Sequence, residues 1–406
     1  MKINSFIRQI LPGIFLIGFN IGTGSVTAMT KSGADFGMAM LWALFLSCLF
    51  TFFLIHFFGK FTISSSLTFL NAIRKNIHPL VAIFFIIALG VNVSGSIIGV
   101  MGIAADVLQE WSKEWIVGGI SSLIWASSIT FLIIVLFLLG NTSTFKKALS
   151  IMVGIMGLSF IINAIIMFPS LKEIAEGLIP RIPESVDSSP FFVVAGMVGT
   201  TLAPIIFVVR SILVKDEGWS KSDLKIQRTD AFVSAGLMFL ISAAIMASAA
   251  GTLHLKGITL IETKEMVHIL KPLAGAAGVG VFVIGITAAA ISSQFPNIFV
   301  VPWIISDYNG KKADMKSMSV RIIVVWMAIL GIAVPLFQGN PIWVMVASQA
   351  FGAIVLPLTV GCMMYLANSK KLMGELKATT PQNLIFVVIL IFATIMGGAG
   401  IYGLIN

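Results

Sequence analysis

The residues best placed to do chemistry lie in two stretches where polar and breaking residues interrupt apolar sequence. The first is Phe19-Asn20-Ile21-Gly22-Thr23-Gly24-Ser25-Val26-Thr27-Ala28, and the second is Gly196-Met197-Val198-Gly199-Thr200-Thr201-Leu202-Ala203-Pro204. Glycines beside hydroxyl residues, and a proline after them, form helix poorly and suit a place where a membrane helix unwinds. Backbone left unpaired at that depth has to face protein, water or a ligand. Two interrupted helices at matching places in two halves of a membrane chain mark the binding site of a secondary transporter.

The elements that must position these breaks follow from composition. The chain of 406 residues is 58% hydrophobic and 11% charged, where soluble domains carry about a quarter charged residues. With about 20 apolar residues needed per span, about eleven segments emerge, at 10–32, 37–59, 79–104, 116–140, 147–168, 190–213, 230–250, 273–299, 318–337, 342–367 and 382–405. Short polar links join them, so residues 1–406 read as one all-α integral membrane domain in the lipid bilayer. Lys2 and Arg8 before an apolar stretch mimic a signal peptide, but ten more spans follow and no convincing cleavage site is evident.

The net charge of +9 is distributed by topology and not for nucleic acid. Of 26 basic residues, Lys31, Lys113, Lys172, Arg181, Lys256, Lys264 and Lys271 fall on one side of the predicted spans, and the others on the opposite side. The positive-inside rule then places the N-terminus in the cytoplasm and the C-terminus outside a plasma (inner) membrane. Cys48 and Cys362 lie in apolar spans and read as small core residues. His56, His78, His254 and His268 show no metal-ligand spacing. The absence of a phosphate-binding loop, paired carboxylates or a Ser-His-Asp arrangement argues against an enzyme or an ATP-driven pump, and no cofactor is indicated.

Other polar groups sit in otherwise apolar spans. The third segment has Asn92, Ser94 and Ser96 among Gly90, Gly95 and Gly99, a stripe suited to close helix packing or to lining a pore. The eighth has Thr287, Ser292, Ser293, Gln294, Pro296 and Asn297, and the tenth Ser348, Gln349, Gly352 and Pro357. Intramembrane polar clusters are functional candidates because leaving them unpaired is costly.

Several of these segments together resemble the Nramp family (natural resistance-associated macrophage protein). The resemblance is carried by Gly33-Ala34-Asp35-Phe36-Gly37 leading to Leu41-Trp42-Ala43-Leu44-Phe45-Leu46-Ser47, by Val198-Gly199-Thr200-Thr201-Leu202-Ala203-Pro204, and by Ser292-Ser293. Ser348-Gln349 followed by Leu356-Pro357, and the loop Asn368-Ser369-Lys370-Lys371-Leu372-Met373-Gly374-Glu375, complete it. It implies a LeuT-type fold: a 5+5 inverted repeat, about 10–168 and 190–367, plus an extra helix at about 382–405. The departures fall at the breaks. Where the family carries Asp-Pro-Gly-Asn and Met-Pro-His as metal ligands, this chain has Gly22-Thr23-Gly24-Ser25 and Ala203-Pro204-Ile205. The family's acidic pair on the third helix aligns with Asn92 and Gly95, and a second histidine of the sixth helix with Arg210.

With all 17 acidic residues expected in loops or at helix ends, a bare divalent ion would meet only neutral oxygens, whereas transition metals favour imidazole and sulfur and hard ions recruit carboxylates. Half-helix N-termini instead present free N–H groups and a positive dipole end, which suits an anion. The expected substrate is therefore a small anion or zwitterion, from bicarbonate to a small carboxylate or amino acid, moved by alternating access. Its expected site is Gly22, Thr23, Gly24, Ser25, Gly199, Thr200, Thr201, Ala203 and Gln349, with Asn92 as further polar lining and no metal. Arg210 is a candidate vestibule cation, its alternative being a helix-end anchor. Ser292 and Ser293 are a candidate sodium site, with Na+ favoured over H+ as the coupling ion. The alternatives are transport of Mg2+ or Mn2+, as the resemblance implies, and a channel. Nothing points to a partner beyond the substrate, and a monomer is expected.

Overall fold

The computed structural model describes residues 22–139, 143–166, 169–184, 189–266 and 276–405, and their regular elements are all helical. In chain order these are α1 (Thr23–Phe36), α2 (Leu41–Ser65), α3 (Phe69–Asn76), α4 (Pro79–Ser112), α5 (Ser122–Leu139), α6 (Ser143–Ile166) and α7 (Leu171–Gly177). Then come α8 (Pro190–Thr201), α9 (Pro204–Asp216), α10 (Leu224–Thr252), α11 (Thr263–Met266), α12 (Ala276–Tyr308), α13 (Met318–Leu330), α14 (Ala333–Phe337), α15 (Pro341–Ala367), α16 (Lys370–Met373) and α17 (Thr380–Ile405).

Among the described residues, eight helices are long and apolar enough to cross a bilayer, α8 and α9 counting together as one. The sequence had suggested about eleven. The first expected segment begins outside the described residues and contributes only the 14 residues of α1, and the fifth ends outside them. The ninth is split at Gly331 into α13 and the short α14, neither long enough to span alone.

Helix α15 is the hub of the bundle, packed against α17, α8 and α4 and touching α1, α2 and α9. Glycines on its neighbours permit the close approach. A Cβ on Gly99 of α4 would come within 2.9 Å of the Met345 backbone, and one on Gly199 of α8 would overlap the Gln349 carbonyl. Without a hydrophobic drive between helices in lipid, such backbone proximity is what holds a membrane bundle together. The stripe of the third segment therefore packs through Gly95 and Gly99, while Asn92 and Ser96 line an internal cavity.

At one end of the bundle, Lys31 of α1 donates to Asp35 (2.8 Å) and to the Leu260 carbonyl (2.8 Å), and Asp35 accepts from the Leu260 N–H (2.9 Å). The connection between α10 and α11 is thereby held against α1, with His254 Nδ1 2.9 Å from the Ala34 carbonyl. At the other end, the N-terminus of the amphipathic α3 is held from both sides: the Phe69 N–H donates to Ser211 and the Leu70 N–H to Asp307.

Candidate functional site

The second expected break is present, and of the first the described residues show the helix start at Gly22. In the second, Leu202 leaves helical geometry and its N–H still reaches the Val198 carbonyl at 2.7 Å. Ala203 is extended, as the residue before a proline is pushed to be, and Pro204 opens α9. The carbonyl of Thr201, orphaned at the end of α8, accepts from Thr51 of α2 at 2.9 Å. In the first, Gly22 is the extended N-cap of α1 and supplies no side-chain cap, so the opening N–H groups of that helix lack an intrahelical acceptor. The two breaks are joined by a hydroxyl contact of 3.3 Å between Ser25 and Thr200.

Between them lies a cavity of about 40 Å3, room for a few water molecules. Gly22 and Gly24 of the first break and Thr200, Ala203, Ile205 and Ile206 of the second line it, so two helix N-termini face one space. The remaining wall is Asn92, Val93, Ser96 and Val100 of α4, Ser293 and Asn297 of α12, and Gln349 of α15. No described lining residue is charged, and residues 1–21 contain no Asp or Glu.

The polar wall is dominated by carboxamides. Asn92, Asn297 and Gln349 are each more than nine-tenths buried. Asn92 is clasped to α15, its Nδ2 donating to the Ser348 carbonyl at 2.6 Å while Ser348 Oγ donates to the Asn92 carbonyl at 2.7 Å. Gln349 reaches the space because α1 has no side chain at Gly24, where a Cβ would lie 3.0 Å from Gln349 Nε2. Ser293 Oγ donates to the Ala289 carbonyl at 2.7 Å and keeps its lone pairs free to accept.

Of the residues expected from the sequence, Gly22, Gly24, Thr200, Ala203, Gln349, Asn92 and Ser293 meet at this cavity. The backbone of Thr23 begins α1, and its side chain lies outside the description. Ser25, Gly199 and Thr201 stand behind the wall: Ser25 ties the breaks together, Gly199 admits α15, and Thr201 Oγ1 donates to the Met197 carbonyl. Ser292 donates to the Ala289 carbonyl at 3.1 Å and is not among the residues that line the cavity.

Arg210 is a clear correction. It lines no vestibule and is no helix-end anchor: it is fully buried and ion-paired with the equally buried Asp230 of α10, with Trp219 under its guanidinium. Asp230 also overturns the expectation that acidic residues keep to loops and helix ends, being interior to α10 because Arg210 neutralises it. Ser96 and Asn297 were not among the expected site residues. Their signal was the helical spacing of Asn92 with Ser96 and of Ser293 with Asn297, which puts each pair on one face. Among the described residues no group of His, Cys, Asp or Glu could hold a metal ion.

The family described as natural resistance-associated macrophage protein-like matches residues 13–403. The divalent metal cation transporter MntH of Yersinia pestis is 24% identical over 91% of this chain and 89% of its own length. The MntH of Clostridium acetobutylicum is 27% identical over 49% of this chain, which spans only 46% of that relative. Among solved structures, the Eremococcus coleocola manganese transporter superposes with a TM-score of 0.75 at 16% identity, covering 98% of this chain and 86% of its own. MhsT in complex with L-phenylalanine superposes at 0.59 with 17% identity, covering 98% of both chains. These likenesses show a fold of the LeuT type.

Proposed function

The chain belongs to the Nramp family of membrane transporters, and from that premise we propose that it carries a small carboxylate-bearing or oxyanionic solute by alternating access. The observation that carries this reading is a charge-free cavity between two helix N-termini. Removing water from a divalent ion costs on the order of tens of kcal/mol in the idealised limit, and no described carboxylate, imidazole or sulfur lines the space to offset it. An anion there gains charge-assisted hydrogen bonds of roughly 1.5–3 kcal/mol each from the opening N–H groups of α1 and from the Ile205 N–H of α9, where Pro204 has none and the Ile206 N–H already donates to the Ala203 carbonyl. The reading includes a monomer with a cytoplasmic N-terminus, and repeats at about 10–168 and 190–367.

A second reading is favoured by the relatives, whose names specify divalent metal cation transport. Under it, the neutral oxygens of Asn92, Ser96, Asn297 and Gln349 accept hydrogen bonds from an ion's retained water shell, which suits Mg2+ better than a bare transition metal. For either substrate, sodium is the proposed coupling ion, because no described titratable side chain lines the cavity to carry a proton, whereas Ser293 and Asn297 offer oxygens. Uptake into proteoliposomes decides between the readings: saturable entry of bicarbonate, glycine or glycolate without manganese or magnesium supports the first. Saturable metal entry that those acids do not affect overturns it in favour of the second.

A further inference from the structure

We infer that Asn92 is a specificity-determining residue, and that its fixed acceptor oxygen selects solutes bearing a hydrogen-bond donor next to their acid group. This rests on the carboxylate reading above and narrows it. A carboxamide can usually turn either its oxygen or its nitrogen to a ligand. Asn92 has lost that freedom. The Ser348 main-chain carbonyl has no hydrogen to give, so the group 2.6 Å from it has to be the amide nitrogen. Ser348 Oγ donates in the opposite direction to the Asn92 carbonyl, fixing the backbone that bears the side chain. Gly352, without a Cβ, leaves the amide its place, since an added carbon would lie 3.3 Å from Asn92 Nδ2.

What remains for the cavity is Asn92 Oδ1, an acceptor with no protein donor among the described residues. Gln349 and Asn297, which also line the space and have no described hydrogen-bond partner, can each rotate to suit a ligand. Asn92 cannot. The site is thus asymmetric: the opening N–H groups of α1 and the Ile205 N–H of α9 suit the acid oxygens, while Asn92 Oδ1 asks for an O–H or N–H. A carboxylate with only methylene there leaves a buried acceptor unmatched, whereas a hydroxy acid, an amino acid or bicarbonate matches it.

The test uses two acids of nearly equal shape, glycolate and propionate, which differ by a hydroxyl in place of a methyl group. Binding to the purified full-length protein in lipid nanodiscs is measured by calorimetry. Glycolate is expected to bind about tenfold or more tighter than propionate, the usual effect of leaving a buried acceptor unsatisfied. In Asn92→Leu the two acids are expected to bind within about twofold of each other. Equal binding in the unaltered protein overturns the inference whether or not the variant folds, as does a preference that survives in Asn92→Leu. If both acids bind alike, only this inference falls. If neither binds while magnesium or manganese does, the carboxylate reading falls and takes this inference with it.

Discussion

Adding a single methyl group at Gly24 should leave the protein folded and slow transport. A Cβ there would lie 2.5 Å from Met345 Cε and 3.0 Å from Gln349 Nε2. Both atoms are the far ends of flexible side chains, so the bundle can accommodate the methyl by turning them aside. Overpacking of this kind costs about 1–3 kcal/mol, within the margin of a typical domain. The functional cost is separate, because Gln349 would be pushed out of the cavity it lines. Losing one hydrogen bond to a buried ligand costs about 1–3 kcal/mol, or roughly 5- to 150-fold in affinity at 1.4 kcal/mol per decade. The contrasting substitution is Gly199→Ala, whose methyl would overlap the Gln349 backbone carbonyl, an atom that moves only if α8 and α15 separate. Thermal unfolding followed by size-exclusion chromatography should therefore show Gly24→Ala folded and Gly199→Ala lost, with proteoliposome uptake reduced at least about fivefold in Gly24→Ala. Uptake within twofold of the unaltered protein would show that Gln349 does not contact the substrate.

Arg210→Met alone should destabilise by about 3–5 kcal/mol by leaving the buried Asp230 carboxylate without its guanidinium. Arg210→Met with Asp230→Leu should recover most of that, since Arg210 Nε and Nη2 already lack partners; thermal melts that rank the double variant below the single one would contradict this. Lys31→Ala should release the connection around Leu260 from α1, seen as faster hydrogen exchange across residues 253–263, and unchanged protection would reject the clasp. Ser293→Ala should weaken stimulation of uptake by sodium at least about fivefold by removing an oxygen ligand, and uptake that ignores sodium but follows a pH gradient would reject sodium coupling.

Much of this was legible in the sequence, for reasons specific to membranes. In lipid the backbone satisfies itself helically, so Gly22, Gly24 and Pro204 inside apolar runs stand out as interruptions. Gln349 and Asn92 stand out because amides are costly there. What the sequence does not carry is direction. Ser292 and Ser293 are adjacent, but the helix turns about 100° per residue, and only Ser293 faces the cavity. Arg210 read as a lone cation because its partner Asp230 is twenty residues away, across a turn whose geometry decides whether the two meet. Asn297 was visible as a polar residue, but its facing depends on how α12 packs against α4. The sequence also does not show that Gly331 divides α13 from α14, since hydropathy does not register an interruption of the helix.

The central claim is that a charge-free cavity between two helix starts takes an acid and not a bare metal ion. Its most direct test is a competition on one preparation of proteoliposomes, with manganese uptake and labelled glycine or bicarbonate uptake measured side by side, in the unaltered protein and in Thr200→Leu. The account predicts no saturable manganese entry, and saturable entry of the acid that Thr200→Leu removes. Saturable manganese uptake at micromolar concentration, lost in Thr200→Leu and unaffected by the acids, would contradict it.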